Sequence, residues 1–401
     1  MEIDGEWAAR AAELLPTGAS TGSKRPEALY GTTDPVGPTH FVRAAGCRLE
    51  TADGAELIDC TMALGAVAIG YGEPKITEAA VEAIAQGAVA GLSHVLEVEL
   101  AERFCNVVPC AERVQFLKTG AEAVSAAVRI ARAYTGRSVV VGSGYFGWHD
   151  WSSTAAGVPE SVRRDFRAVA FDDVQALERA VSDAGGDLAA IVIEPVVERM
   201  PSPEWIARAR ALCDASGAAL IFDEMKTGFR IATGGYQQLS GVTPDLAAFG
   251  KALANGFPLA AVCGRAPLMD SLRKTWISST LASEGGALAA ALAVLDWHEA
   301  DDVCAELATI GGEMRTRFAS ALKASGLSGI SVHGIDPMWL VKFESPDAER
   351  RFVALAAQHG ALFKRGAYNF ASLAHDEDAL VEIEAAASNA FVAMRQERED
   401  A

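Results

Sequence analysis

The chain has 401 residues, 50% of them hydrophobic and 22% charged, enough for one large α/β domain and a smaller companion and unlike a disordered or fibrous composition. Acidic residues outnumber basic ones by 53 to 35, a formal net charge of −18, which argues against nucleic acid or an anionic membrane as partner and leaves small molecules. No stretch resembles a secretory signal or reaches the length of a membrane span, and the seven cysteines are scattered without a CxxC pair, so buried free thiols in a reducing cytoplasm and no metal site are expected.

Residues 1 to about 45 hold an amphipathic stretch followed by a Gly, Pro, Ser and Thr-rich arm. "CRLETADGAELID" then reads as a hairpin turning at Asp53-Gly54. From about 60 to 300, short apolar runs alternate with helical periods: "SVVVG" at 138–142, "AAIVIEP" at 189–195, "ALIFDE" at 219–224 and "LAAFG" at 246–250. Runs apolar on both faces are strands covered on both sides, so the alternation predicts a doubly wound, mainly parallel α/β sheet. "SPEWIARARALCDASG" reads as a helix capped by Gly217. Beyond about 300, a long helical segment, a strand at 338–344 and a charged final helix predict a smaller α+β domain. The expected division is an arm over 1–45 packing with the small domain, a large domain over 46–300 and a small one over 301–401.

In open α/β sheets ligands gather at the carboxyl ends of the strands. Four such ends are chemically loaded: Asp223, Glu194, Lys251 and the aromatic segment "GYFGWHDW" at 144–151. Taken singly, each has a plain structural explanation, since strand-end acids cap helices, lysines face solvent and aromatics fill cores. Together they suit one ligand. A desolvated lysine deprotonates readily and adds to an aldehyde as a Schiff base, and a buried carboxylate holds a pyridine nitrogen protonated, making the ring an electron sink. In "QFLKTGAEAVSAAVRIARAYTGR" an apolar stripe of Val124, Ala127, Val128 and Ala131 starts a helix near Ala121, whose free N–H groups suit a phosphate.

These residues, with "LKTGAEA", "LIFDEMKTGFR", "PDLAAFGKALANG" and "ISSTLASEGGALAAALAVLDW", resemble the class III pyridoxal-phosphate aminotransferases, in particular the group around glutamate-1-semialdehyde aminomutase. The resemblance runs from about Leu15 to about Ala387 and implies the fold type I architecture, with cofactor binding in the large domain. It implies pyridoxal 5′-phosphate joined to Lys251, with Asp223 on the ring nitrogen, Gly120 and Ala121 in the phosphate turn, and Tyr145 stacked on the ring opposite Met225. It also implies Glu194 near the cofactor, Arg25 receiving a substrate carboxylate, and Thr280 reaching the phosphate of the neighbouring subunit of an obligate homodimer. Implied in turn is transfer of an amino group from an amino acid such as glutamate to a carbonyl acceptor, with a 2,1-aminomutase as the alternative. The chain departs from the family pattern at Ala121, Phe146, Met225 and Lys226, and in "STLASEG" at 279–285.

Overall fold

A computed structural model describes residues 2–33 and 36–399. They form two compact units, one built from the chain up to Glu73 and from Ala305 onward, the other from Pro74–Cys304. The stretch 46–73, which the sequence reading groups with the large domain, falls in the first unit, for a reason set by strand pairing. Strands Phe41–Ala45, Arg48–Thr51 and Glu56–Asp59 pair antiparallel in succession, and Glu56–Asp59 then pairs in parallel with Ala361–Leu362 from the far end of the chain.

The same unit holds a second sheet of Ile330–Ile335, Met338–Phe343 and Asn369–Phe370, with helices Pro346–Gln358 and Glu377–Glu399. Its core is aromatic: the Phe318 ring lies 5.3–5.6 Å from those of Trp339, Phe352, Phe363 and Phe391. The arm is tied down by main-chain acceptors, the Lys364 amine donating to the Ala28 carbonyl (3.2 Å) and the Arg365 guanidinium to that of Glu27 (3.2 Å).

In the unit Pro74–Cys304 seven strands lie in the order Arg113–Leu117, Ala260–Gly264, Leu246–Phe249, Ala219–Asp223, Leu188–Ile193, Val139–Ser143, Phe166–Ala168. From Leu246–Phe249 onward all pairs are parallel, while Ala260–Gly264 runs antiparallel to both neighbours. Every residue of the five central strands is buried, so both sheet faces are covered, as the unbroken apolar runs require. The register pairs Ser143 with Ile193, Ile193 with Phe222 and Asp223 with Ala248. The carboxyl ends of four parallel strands are therefore level, and whatever follows each strand meets at one sheet edge.

Helix Gly120–Thr135 packs along this sheet through small residues, among them Ala123, Ala127 and Ala131, which let the helix approach closely. Helix Pro203–Ser216 starts at Ser202, whose hydroxyl accepts the Trp205 N–H, and stops at left-handed Gly217 (φ 68°). All seven cysteines are free thiols and all but Cys105 are buried. Among the described residues no helix is long and apolar enough to cross a membrane, and no cluster of His, Cys, Asp and Glu could hold a metal.

Because Phe318 touches four aromatic neighbours in a fully buried position, Phe318→Ala should cost about 3–5 kcal/mol of stability, read from denaturant unfolding. A loss below about 1 kcal/mol would show that this cluster is not the core of its unit.

Candidate active site

The last residue of strand Ala219–Asp223 points a carboxylate into the level strand ends. Asp223 is only 4% exposed, and its Oδ1 accepts the Met225 N–H at 3.0 Å. Burial, then the charge of Glu194, push its carboxyl up to about 7, against the pull of the Met225 N–H, Lys251 and Lys226. Glu194 follows the neighbouring strand Leu188–Ile193; its N–H bonds the Ser143 carbonyl at 2.9 Å and its Oε2 accepts the Tyr145 N–H at 3.1 Å. Its Oε1 makes an ion pair with the Lys226 amine, both side chains almost fully buried.

Lys251 follows Leu246–Phe249 and Gly250 and opens the short turn Lys251–Ala254 with a left-handed backbone (φ 50°). Such a conformation in a residue other than glycine is strained, and strain of this kind collects at functional positions. Burial and the positive charge of Lys226 bring its amine down to about 8, with Asp223 and Glu194 opposing the fall. Asp223 and Lys251 are thus both drawn toward neutrality on adjacent strands, one able to hold a proton and the other able to give one up.

The anion turn is built by the start of helix Gly120–Thr135. Thr119 and Glu122 form a reciprocal cap: the Thr119 hydroxyl accepts the Glu122 N–H at 3.3 Å, and Glu122 Oε2 accepts the N–H groups of Thr119 (2.8 Å) and Lys118 (3.0 Å). Glu122 is committed to the cap, while the N–H groups of Gly120 and Ala121 lie in the first turn, where the helix offers them no acceptor.

Close approaches join this turn to the charged cluster. A Cβ on Gly120 would come within 2.7 Å of the Met225 sulfur, and one on Gly250 within 2.8 Å of it, so the thioether lies against both glycines. Gly147 sits directly on Ala121, and Gly144, at φ 136°, sits directly on the Glu194 side chain. Gly120, Ala121, the loop 144–147, Glu194, Asp223, Met225 and Lys251 therefore share one site. Its chemistry fits a phosphate at the helix start, a basic ring nitrogen at the Asp223 carboxyl and an aldehyde at the Lys251 amine.

Other expected residues stand apart. Tyr145 is 73% exposed, and its tie to the cluster is through its backbone N–H. Thr280 lies in an exposed turn, and Arg25 belongs to the other unit, capping the short helix Pro26–Tyr30. Phe146, where a hydrogen-bonding residue is usual in the resemblance, is buried against Trp151 (5.7 Å) and Phe166 (6.2 Å), which makes it core. Lys226 and Glu284 carry no role in the sequence pattern, yet both make ion pairs here. Glu284 caps helix Gly285–Ala300 through the N–H groups of Gly286 (2.7 Å) and Ala287 (3.1 Å) and pairs with Lys118 at 3.2 Å. The signal for Lys226 was its charge at a position where an apolar residue is usual.

The chain matches the family described as aminotransferase class-III over residues 32–375 and belongs to it. It is 32% identical over 347 residues to the 3-aminobutyryl-CoA aminotransferase of Cloacimonas acidaminovorans (strain Evry), covering 84% of this chain and 83% of the relative. The FumI protein of Sphingopyxis sp. MTA144, solved in its PLP internal aldimine form, superposes with a TM-score of 0.94 at 27% identity, over 100% of this chain and 98% of that one. A transaminase with PLP bound gives 0.89 at 26% identity over 100% and 99% of the two chains. An omega-transaminase from Sphaerobacter thermophilus gives 0.84 at 25% identity over 96% and 97%. The protein is thus a pyridoxal-phosphate-dependent transaminase of fold type I.

In cofactor-free protein, acetylation of Lys251 by acetic anhydride, mapped by mass spectrometry, should rise with pH through a midpoint near 8. A midpoint at the ordinary lysine value of about 10.4 would contradict the assigned electrostatics.

Proposed function

We propose that the enzyme carries its cofactor on Lys251 and moves an amino group from glutamate to a carbonyl acceptor, working as a homodimer. The observation that carries this reading is the juxtaposition of a partly buried amine and a buried carboxyl on neighbouring strand ends. Pyridoxal phosphate, when bound, supplies an electron-withdrawing ring that acidifies the α-proton of the amino donor. The Lys251 Nζ, once released, takes that proton and delivers it across the site, a role its lowered affinity for protons suits. The Asp223 carboxyl holds a proton at the ring nitrogen. Lys226 neutralises Glu194, so the second carboxylate does not compete for that proton. The N–H groups of Gly120 and Ala121 orient the phosphate, with Ala121 adding no hydroxyl, and Met225 packs beside Lys251 against Gly250.

Thr280 is assigned to the phosphate of the neighbouring subunit. Its exposure supports this, as do exposed Trp276 and Leu281 beside it and exposed Leu92, Val95 and Val98 in the same unit. Arg25 is assigned to a substrate carboxylate, and the free buried thiols agree with a cytoplasmic setting. The names of the relatives, a 3-aminobutyryl-CoA aminotransferase and an omega-transaminase, support an acceptor whose carbonyl lies away from an α-carboxylate. A glutamate-1-semialdehyde-type 2,1-aminomutase would use the same residues; the aminotransferase names and the departure at 279–285 favour the transferase.

Glutamate added to the loaded enzyme without acceptor should release 2-oxoglutarate in stoichiometric yield. Isomerisation of a single amino aldehyde with no 2-oxo acid formed would establish the mutase instead. Lys251→Ala should lower turnover by at least about 10²–10⁴-fold while the protein still binds cofactor, and Asp223→Asn should slow it at least about tenfold with the fold intact. Retained turnover in Lys251→Ala would overturn the mechanism.

A further inference from the structure

The unit that contains the N-terminal arm holds a cavity of about 170 Å³, formed by residues that the transamination site does not use. Its floor is one face of the four-stranded sheet. Leu49 and Leu57 are register partners on adjacent strands, and Leu362 pairs with Asp59 one strand further on. Side chains two apart on a strand share a face, so Thr51 and Asp59 join the same surface. Phe41, the register partner of Thr51 on the edge strand, extends that face, and Leu29 and Thr39 of the arm also line the space. For size, an engineered apolar cavity of about 150 Å³ holds benzene, so the space admits a ring or a chain of four to six carbons.

The lining of this apolar space includes a cation with few partners. Lys364 lines it, is only 8% exposed, and donates to one neutral acceptor, the Ala28 carbonyl at 3.2 Å. Among the described residues no carboxylate lies within 4.0 Å of that amine. A nearly buried ammonium with three protons and one carbonyl partner is incompletely satisfied. Burial, followed by the charge of Arg365, lowers its affinity for protons, with Glu349 opposing. Asp59, the acid in the cavity, is already engaged, its Oδ2 accepting the Tyr71 hydroxyl at 2.7 Å and its Oδ1 the Thr61 N–H at 2.6 Å. Lys24 and His40 add further basic groups to the lining.

One stretch of the lining is strained. Met62, Ala63 and Leu64 take left-handed backbone angles in succession (φ 42°, 50° and 61°), and Ala63 and Leu64 line the cavity. Left-handed geometry costs roughly 1–2 kcal/mol for each such residue, and it collects at ligand clamps.

We propose that this cavity is a second binding site, taking a small monocarboxylate whose apolar body lies on the sheet face and whose carboxylate pairs with the Lys364 amine. Arg25, assigned above to a substrate carboxylate, is not among the lining residues, so the cation offered here is a different one. The carboxylate is that of an effector, and kinetics tests the assignment.

The test uses the loaded enzyme with benzoate as probe and benzamide as its uncharged counterpart, reading the thermal unfolding midpoint across a concentration series. Benzoate should raise the midpoint saturably and benzamide should not. Lys364→Gln should raise the apparent Kd for benzoate about 10-fold or more, the loss of one charge-assisted hydrogen bond. Thr39→Phe, which fills the cavity from the arm and leaves Lys364 in place, should abolish the response even if Lys364→Gln fails to fold. Benzoate inhibition that is noncompetitive with the carbonyl acceptor and is lost in Thr39→Phe supports the effector role, whereas inhibition that persists in Thr39→Phe contradicts it. An equal response to benzamide, a benzoate response unchanged in Thr39→Phe, or no saturable response would overturn the proposal.

Discussion

Four charged side chains at the carboxyl ends of adjacent parallel strands, two carboxylates and two amines, set the terms for everything around them. Isolated, any one of these charges would be too costly to bury. Together they balance: Lys226 binds Glu194 directly, while Asp223 and Lys251 remain without so close a partner and drift toward neutrality. That arrangement needs strand ends that are level, which the parallel register supplies, and helices on both faces that keep water out.

Neighbouring residues with the same chemistry are sorted by which side of the strand end they leave. Asp223 turns into the site, whereas Glu224, next in the chain, is fully buried elsewhere and accepts from the Tyr236 N–H (2.8 Å), the Gln237 N–H (3.1 Å) and the Thr227 hydroxyl. Burial raises the Glu224 carboxyl as well, but its hydrogen bonds hold the loop that follows the strand, a structural duty. Glycines play the complementary part. Gly120, Gly144, Gly147 and Gly250 carry no side chain because Met225, Glu194 and Ala121 already occupy the space, and this close contact draws the anion turn and the aromatic loop onto the charged cluster.

Much of this was legible in the sequence because the signals were local. The apolar runs ending at Glu194, Asp223 and Lys251 marked the central strands, since full burial leaves no alternation to confuse them. The stripe from Val124 to Ala131 located the helix to within a residue of its observed start at Gly120. Three strands of the seven-stranded sheet left no such trace. Arg113–Leu117 carries Arg113 and Gln115, Phe166–Ala168 is only three residues long, and Ala260–Gly264 continues a run of small residues that reads as loop. The pairing of Glu56–Asp59 with Ala361–Leu362 was hidden because it joins segments some 300 residues apart, and no local pattern encodes a partner at that distance. Lys226 shows the same limit, since its charge was visible but its partner, Glu194, depends on register between strands.

The central claim is that the amine at Lys251, and not its buried neighbour Lys226, is the one that joins the cofactor. Borohydride reduction of the loaded enzyme followed by peptide mapping tests it directly. The account predicts a single pyridoxyl adduct on Lys251; an adduct on Lys226, or on any other side chain, would contradict it.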